Sequence, residues 1–267
     1  MISKSGQSAK LLRSCYDDVD LDQSDRPAFA VHLDFSDYEA EVPQHQHREG
    51  QLILALHGAV TCRTENGIWI VPPDCGVWIP GGVPHSNQVT SNARLSYLFV
   101  QPGAATLPWE CCTLSVSPML REMILRLADV PVNYAPDDHV GRMVRVLLDE
   151  LAQMPIQGLD LPSSSHPKIA AITAALMAEP GNRRTLVDWA AHVAMSERSL
   201  KRLMVQETGL TFGRWRRQLH LIIALRELAS GATVQRVSSD LGYESATAFI
   251  VMFKKALGTT PTRYFAR

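Results

Sequence analysis

The C-terminal hundred residues of this chain repeat one local pattern twice: a short helix, a tight turn and a second helix. The first copy runs from Thr185 to about Glu207, and the second runs from Thr233 to Leu257. In each copy a serine precedes the second helix, where its side chain can cap free backbone N–H groups. A segment with helical spacing, from about Phe212 to Ala229, joins the two copies. This arrangement predicts two helix-turn-helix units connected by one long helix.

The charge of the chain divides near the start of this region. Residues 166–267 contain 15 Lys and Arg against 7 Asp and Glu, a net of +8, whereas residues 1–165 contain 11 against 20, a net of −9. A basic helical module with two such turns is typical of proteins that bind duplex DNA. The connecting helix of roughly 18 residues would span about 27 Å, near the spacing of about 34 Å between successive major-groove faces. We therefore expect double-stranded DNA as a partner.

The second helix of the first unit carries a basic strip. Spacings of three and four residues place Arg198, Lys201 and Arg202 on one face, opposite an apolar stripe, and Ser199 lies beside them. Arginine can bond guanine O6 and N7 bidentately, which gives about 1–3 kcal/mol of discrimination against other bases. A solvated basic face is the alternative interpretation. The adjoining turn and serine cap favour a DNA-contacting surface instead.

Several motifs of this region occur in the order of a known family. They are Thr185-Leu-Val-Asp-Trp-Ala-Ala, Met195-Ser-Glu-Arg-Ser-Leu200, Glu207-Thr-Gly209, Leu241-Gly-Tyr-Glu-Ser245, Phe253-Lys254 and Leu257-Gly-Thr-Thr-Pro-Thr-Arg-Tyr264. On these motifs the chain resembles the AraC/XylS family of transcriptional regulators. The resemblance implies a seven-helix domain over residues 167–267 that binds promoter DNA, usually as an activator working with RNA polymerase. It also implies that Arg198, Lys201 and Arg202 contact bases and backbone, and that the N-terminal domain senses an effector.

The second unit departs from the common pattern of that family. Its groove-facing positions are Ala246, Thr247, Ile250 and Val251, where many relatives carry polar or basic side chains. Among these only Thr247 can hydrogen-bond a base, whereas the other three can make apolar contact with thymine methyl groups. Lys254 and Lys255, further along the helix, can bind phosphate. We predict that the first unit supplies most sequence discrimination and the second mainly affinity.

The N-terminal part predicts a different architecture. Short apolar runs separated by turn signals over residues 26–110 are typical of antiparallel strands and indicate a small β-barrel or sandwich. Helical spacing over residues 117–155 predicts two helices whose apolar surface favours a homodimer interface, with capping of the barrel as the alternative. Residues 1–25 are expected to be a flexible acidic arm, and residues 156–166 a linker. The fold class is thus α+β with two domains, a small β-barrel followed by an all-α domain.

A histidine pattern marks the predicted barrel. His45 and His47 lie two residues apart on one strand and therefore point the same way, Gln51 follows, and His85 ends the segment Pro80-Gly-Gly-Val-Pro-His85. The pattern resembles the two cupin motifs, with Gln51 where metal-binding cupins have glutamate. That resemblance implies a divalent transition metal, Zn, Ni, Fe or Mn, held by the three histidines.

The same residues allow a site without metal. An amide is a weaker ligand than a carboxylate, so the histidines can instead line a pocket for an organic effector or pack as satisfied core groups. Trp69 and Trp78, on neighbouring predicted strands, would form an apolar wall of the effector site, with plain core packing as the alternative. The sequence therefore predicts effector binding by either a small molecule or a metal ion.

Three functions are compatible with these patterns. The first is a DNA-binding regulator controlled by an effector that binds in the barrel. The second is a metal-dependent cupin enzyme, a dioxygenase or isomerase. The third is an architectural DNA protein. The tandem DNA-reading units and the short, arginine-led surface favour the first. The 5 cysteines lack a C-x-x-C spacing, and no apolar run is long enough to cross a bilayer. We therefore expect a cytoplasmic protein without a disulfide framework and without a membrane partner.

Overall fold

A computed structural model describes residues 26–35 and 40–266, so the predicted acidic arm at residues 1–25 lies outside the described part of the chain. The described residues form two compact units. The first contains residues up to 159, and the second contains residues 160–266 together with the hairpin tip at residues 65–68. No helix in the described ranges combines the length and apolarity that a membrane span requires. The boundary between the units falls within the predicted linker.

The first unit is built from two antiparallel sheets. The strands are β1 Ala28–Asp34, β2 Ala40–His45, β3 Gly50–His57, β4 Val60–Arg63, β5 Gly67–Ile70, β6 Cys75–Ile79, β7 His85–Val89, β8 Arg94–Val100, β9 Cys112–Ser115 and β10 Ile156–Gln157. The first sheet has the strand order β1-β8-β3-β6-β9-β10, and the second contains β5, β4, β7 and β2 in that order.

One apolar cluster draws residues from both sheets, which shows that they face each other. Phe29 on β1 and Phe99 on β8 stack with ring centroids 4.8 Å apart, and Cys62 and Val89 contribute from the opposite sheet. The inward positions alternate along each strand because successive side chains point to opposite faces. This core confirms the predicted β-rich N-terminal domain and, with the helices described below, the α+β two-domain class.

Two helices, α1 Pro118–Ala128 and α2 His139–Ala152, cover the outer face of the first sheet. Their apolar side chains join a second buried cluster with strands β1, β3, β6, β8 and β9. In α2 the residues Val144, Leu147 and Leu151 are at most 1% exposed. The apolar stripes on which we predicted a dimer interface are therefore buried within the protomer, as in the alternative in which the helices cap the barrel, and the dimer itself stays a prediction.

The end of the barrel differs from the predicted boundary at residue 110. Strand β9 pairs with β6, Cys112 facing Trp78, and β10 pairs with β9, Ile156 facing Leu114. Part of the predicted linker is thus sheet. Strands of two to four residues are too short to show an alternating pattern, which is why the sequence did not indicate them.

The second unit contains seven helices in the described residues, the number that the resemblance implied. They are α3 Pro167–Ala178, α4 Leu186–His192, α5 Glu197–Thr208, α6 Phe212–Ala229, α7 Val234–Asp240, α8 Ala246–Leu257 and α9 Pro261–Phe265. The short strand β11, Asp160–Pro162, precedes them. Both second helices end at a left-handed glycine, Gly209 with φ 70° and Gly258 with φ 76°. The two helix-turn-helix units therefore begin and end with the same capping chemistry.

Gly242 in the turn of the second unit is a position where only glycine fits. Its φ is 74°, and an added Cβ would lie 2.6 Å from the carbonyl oxygen of Gly181. We expect Gly242→Ala to lower the free energy of unfolding by about 3 kcal/mol, since the left-handed penalty adds to a backbone clash. Urea unfolding of the variant measures the loss.

Gly258→Ala is the matched control. Its φ is 76°, but nothing lies within 4 Å of an added Cβ, so only the backbone penalty of about 1 kcal/mol applies. Equal losses in the two variants would contradict a packing role for the close approach to Gly181.

Candidate nucleic-acid interface and histidine cluster

The turn and cap of the first unit fix the orientation of α5. Ala194 has a φ of 51°, and the N–H of Met195 donates to the carbonyl of Ala190 at 2.8 Å. The Ser196 hydroxyl then accepts from the N–H of Ser199 at 3.2 Å, and so begins the helix. Trp189 on α4 is fully buried and anchors the unit. The turn between α4 and α5 is thereby held by a backbone hydrogen bond and by the serine cap.

The outer face of α5 is basic, as predicted. Arg198, Lys201 and Arg202 are exposed, while Leu200 and Met204 on the opposite face are buried. Lys201 Nζ forms an ion pair with Glu197 Oε1 at 2.5 Å. Within the described ranges neither Arg198 nor Arg202 forms an ion pair, so both guanidinium groups remain available to an external acceptor. These are the donor forks that match guanine or phosphate.

Ser199, the remaining predicted contact on α5, is engaged in the cap. Its hydroxyl oxygen accepts a hydrogen bond from the Ser196 hydroxyl at 2.9 Å. The structure thus gives Ser199 a role at the start of the helix. Its place on the predicted DNA surface stays a prediction.

The outer face of α8 is largely apolar. Phe249 and Phe253 are buried, and Val251 on the other face is 62% exposed. Thr247 beside it is exposed, and Lys254 and Lys255 are exposed near the end of the helix. The predicted contact residues of this helix therefore lie together on one surface.

The buried imidazole of His220 on α6 links the long helix to the second turn. Its Nε2 lies 3.1 Å from the carbonyl oxygen of Pro180 and its Nδ1 lies 3.3 Å from the hydroxyl oxygen of Tyr243. Burial, together with the nearby positive charge of Arg216, lowers the pKa of His220 from 6.5 to about 4. The ring is therefore neutral at pH 7.

This pKa shift predicts a pH dependence of stability. Because the unfolded state binds the proton more tightly, the contribution of His220 is fully present above pH 6.5 and is lost as the pH falls towards 4. We expect about 2 kcal/mol to be lost between pH 7.5 and 5, measured by urea unfolding. His220→Gln should show a smaller loss over the same range. The same pH dependence in both proteins would rule out this assignment.

In the first unit, three histidines meet where β2 ends and β7 begins. His45 faces His85 across the strand pair, with ring centroids 4.3 Å apart. His47 follows in the next loop, 5.2 Å from His85 and 6.0 Å from His45 by centroid distance. One ring nitrogen of each histidine lies within 4.8 Å of the others. The predicted trio is thus brought together.

The backbone sets the orientation of each ring. Nδ1 of His45, His47 and His85 lies 2.9, 2.7 and 2.9 Å from the carbonyl oxygens of Pro43, Glu49 and Val83 respectively. Each Nδ1–H can therefore donate to a carbonyl, which leaves Nε2 as the lone-pair atom. Metal-ligating histidines almost always make this second hydrogen bond.

Burial favours the neutral form of two of the three imidazoles. It lowers the pKa of His45, and it lowers the pKa of His85 to about 4. His85 is 1% exposed, and its Nε2 has no hydrogen-bond partner among the residues that the structure describes. A buried lone pair without a partner is costly unless something binds there.

Gln51 adds an oxygen to the cluster. Its side-chain oxygen lies 2.6 Å from Nε2 of His47, and the residue is 1% exposed. The side-chain amide of Gln51 is therefore a fourth polar group of the cluster, at hydrogen-bond distance from a ring nitrogen.

The glycines of the second motif hold the loop that carries His47. The N–H of Gly82 donates to the carbonyl of His47 at 2.7 Å. An added Cβ at Gly81 would lie 2.0 Å from the carbonyl oxygen of Arg48, so no larger residue fits there. These contacts explain why the Pro-Gly-Gly segment accompanies the histidines.

The two predicted tryptophans lie on different faces. Trp69 belongs to the cluster between the sheets, as expected of a wall residue or a core residue. Trp78 belongs to the outer cluster, and its indole N–H donates to the carbonyl of Pro108 at 2.8 Å. Its expected place in the effector site is therefore wrong, because its neighbours Val77 and Ile79 take the inward positions.

Asn87 is an interior polar residue that the sequence analysis missed. It lies two residues after His85 on the same strand face, is 3% exposed, and its side-chain oxygen has no hydrogen-bond partner in the described ranges. The period of two from His85 along β7 is the signal that could have identified it.

Comparison with known proteins assigns both units. Residues 31–153 match the AraC-like ligand binding domain, and residues 189–267 match a helix-turn-helix domain. Over 240 residues the chain is 55% identical to the HTH-type transcriptional regulator NimR of Escherichia coli, a match that covers 90% of this chain and 87% of that relative. The chain belongs to the AraC/XylS family of transcriptional regulators.

Two further comparisons differ in coverage. The HTH-type transcriptional regulator RipA of Corynebacterium diphtheriae is 32% identical over 89 residues, which are 33% of this chain and 27% of RipA. Among solved structures, ToxT of Vibrio cholerae aligns with 89% of this chain and 96% of its own at 8% identity and a TM-score of 0.38. NimR and RipA are named as transcriptional regulators, so the rival hypothesis of an enzyme finds no support in them. This AraC-family protein is a DNA-binding transcriptional regulator with a ligand-binding domain.

Proposed function

We propose that this regulator is a cytoplasmic activator whose N-terminal domain binds a divalent transition metal ion at His45, His47 and His85. Occupancy of that site alters the affinity of the C-terminal domain for promoter DNA. The observation that carries the proposal is the common orientation of the three rings: each Nδ1 lies at hydrogen-bond distance from a backbone carbonyl, which leaves Nε2 as the ligand atom, and in His47 that atom faces the Gln51 oxygen at 2.6 Å. The buried, unpartnered Nε2 of His85 supports it.

The donor set favours zinc or nickel among the four metals considered. Three neutral imidazoles suit zinc and nickel, whereas iron and manganese sites are commonly completed by a carboxylate. Gln51 supplies an amide oxygen in place of that carboxylate. When bound, the metal would join the end of β2 and the start of β7 through side-chain bonds, in addition to the strand pairing that already sets His45 opposite His85.

A small organic effector is the second candidate. Asn87 and Trp69 each bury a side-chain polar atom that lacks a partner among the described residues, Oδ1 in one case and Nε1 in the other. Asn87 shares a strand face with His85, and Trp69 belongs to the cluster between the sheets. A polar molecule between the sheets would satisfy such atoms, with or without a metal.

The proposed activator acts on promoter DNA through both helix-turn-helix units, with most discrimination coming from α5. RNA polymerase and a second copy of the chain are the partners that this role implies. The apolar stripe of α2 supports no dimer, since it is buried within the first unit. A dimer would therefore use another surface.

The metal content of untagged protein, purified without chelators, tests the proposal. Elemental mass spectrometry should find near-stoichiometric zinc or nickel. We expect the metal to be lost in His85→Ala and retained in the control His57→Ala, because His57 is exposed and bonded to the carbonyl of Asn92. Metal-free protein that still binds its promoter specifically would overturn the metal site and favour the organic effector.

A further inference from the structure

The two recognition helices, α5 and α8, can be compared position by position from their caps. Ser196 and Ser245 each accept a hydrogen bond from the backbone N–H three residues later, at 3.2 Å in both cases. Counting from these caps, the buried pair Leu200 and Met204 in α5 corresponds to Phe249 and Phe253 in α8. The helices thus present equivalent outward positions.

The outward positions carry opposite chemistry. Arg198 corresponds to Thr247, Lys201 to Ile250, Arg202 to Val251, and Val205 to Lys254. On α5 three cations stand where α8 has one hydroxyl and two aliphatic side chains. Val251 is 62% exposed and so presents its methyl groups to solvent in the free protein.

We propose that α8 reads thymine through the C5-methyl group, with Val251 as the principal contact and Ile250 beside it. This inference rests on the DNA-binding role and names the bases that the second unit prefers. The thymine methyl is the apolar group that base pairs display in the major groove, and it matches an exposed aliphatic side chain. Guanine in the same place would bury acceptors opposite methyl groups without a donor, which is unfavourable.

The positive charge beside Ile250 and Val251 on α8 indicates that DNA is the partner that covers them. Lys254 and Lys255 are exposed in the last turn of α8. They can bind the phosphates on either side of the groove while the valine meets the bases. Val251 also occupies the position at which α5 carries Arg202.

The test uses full-length protein and duplex DNA that the protein itself selects from a random pool. Thymines in the segment bound by α8 are replaced by deoxyuridine, which lacks only the methyl group. We expect the dissociation constant, measured by fluorescence anisotropy, to rise about fourfold for each methyl group in contact. Deoxyuridine in the segment bound by α5 serves as the DNA control.

Two variants assign the effect to one side chain. Val251→Ala should lose most of the difference in affinity between thymine and deoxyuridine duplexes, the remainder being due to Ile250. Val187→Ala removes an equally exposed valine, 56% exposed on α4 outside the recognition helices, and should keep the wild-type sensitivity.

Two results would overturn the proposal. One is equal wild-type affinity for thymine and deoxyuridine DNA, as expected if the valine instead contacts a protein such as RNA polymerase. The other is full sensitivity retained in Val251→Ala. In either case specific binding of the selected DNA would persist, so the failure of methyl readout is distinguishable from failure of DNA recognition itself.

Discussion

Arg202→Ala lowers the affinity of this regulator for its selected DNA by about 5- to 150-fold, the range that loss of one bidentate contact to guanine predicts. The guanidinium group of Arg202 is exposed on α5 and has no ion-pair partner in the described part of the chain. Entry of Arg202 into the groove, which we predict, would therefore break no ion pair of the described residues. Fluorescence anisotropy with selected and mismatched duplexes measures the effect.

The control for Arg202 is Lys255→Ala on α8. A lysine that binds phosphate contributes to all sequences alike, so we expect a uniform loss and a salt dependence that is weaker by about one unit of log–log slope. Arg202→Ala should instead reduce the preference for guanine at one position. A uniform loss for both variants would show that α5 supplies charge and no base readout.

His85→Ala raises the dissociation constant for zinc or nickel by at least about 100-fold. Loss of a hydrogen-bond partner behind a metal ligand already costs about 10- to 100-fold, and here a direct ligand is removed. His45→Ala should also raise the dissociation constant for zinc or nickel. Because His45 is only half-buried, this variant tests the site even if the more buried His85→Ala variant fails to fold. Competition with a chromophoric chelator gives the constants.

The control for the metal prediction is His57→Ala, which removes an exposed histidine on β3 outside the cluster. It should leave the affinity unchanged. Equal metal affinity in wild-type and His85→Ala protein, each folded by circular dichroism, would mean that the ion binds elsewhere.

The helical unit could be predicted almost residue by residue. The long helix was expected from about Phe212 to Ala229 and spans those residues, because a period of 3.6 and the Ser230-Gly231 stop are local signals. The same holds for α5 and α8, whose serine caps and glycine ends are visible in the sequence. Local chemistry determines where such helices begin and end.

The sheets were harder to predict, because their neighbours are distant in the sequence. In the run Val77-Trp-Ile79 all three side chains are apolar, so alternation does not reveal which one faces inward. Trp78 was placed on the wrong face for that reason. The short strands β9 and β10 were missed because pairing with β6 and with each other, rather than local pattern, makes them strands.

The histidine trio lies between these cases. The residue spacing and the motifs predicted one site for His45, His47 and His85, and the structure places the three rings together. The carbonyls of Pro43, Glu49 and Val83, which orient the rings, carry no sequence signal, since every residue has a carbonyl. Asn87 went unnoticed because a lone asparagine in a strand is rarely a site.

The most direct test of the account compares one affinity in two states: full-length protein binding its selected DNA, metal-free and loaded with zinc or nickel. Coupled sites typically change each other's affinity by about 5- to 150-fold. We predict a difference of at least about fivefold in the dissociation constant, which disappears in His85→Ala. Equal affinity in the two states, with metal shown to occupy the site, would contradict control of DNA binding by the histidine cluster.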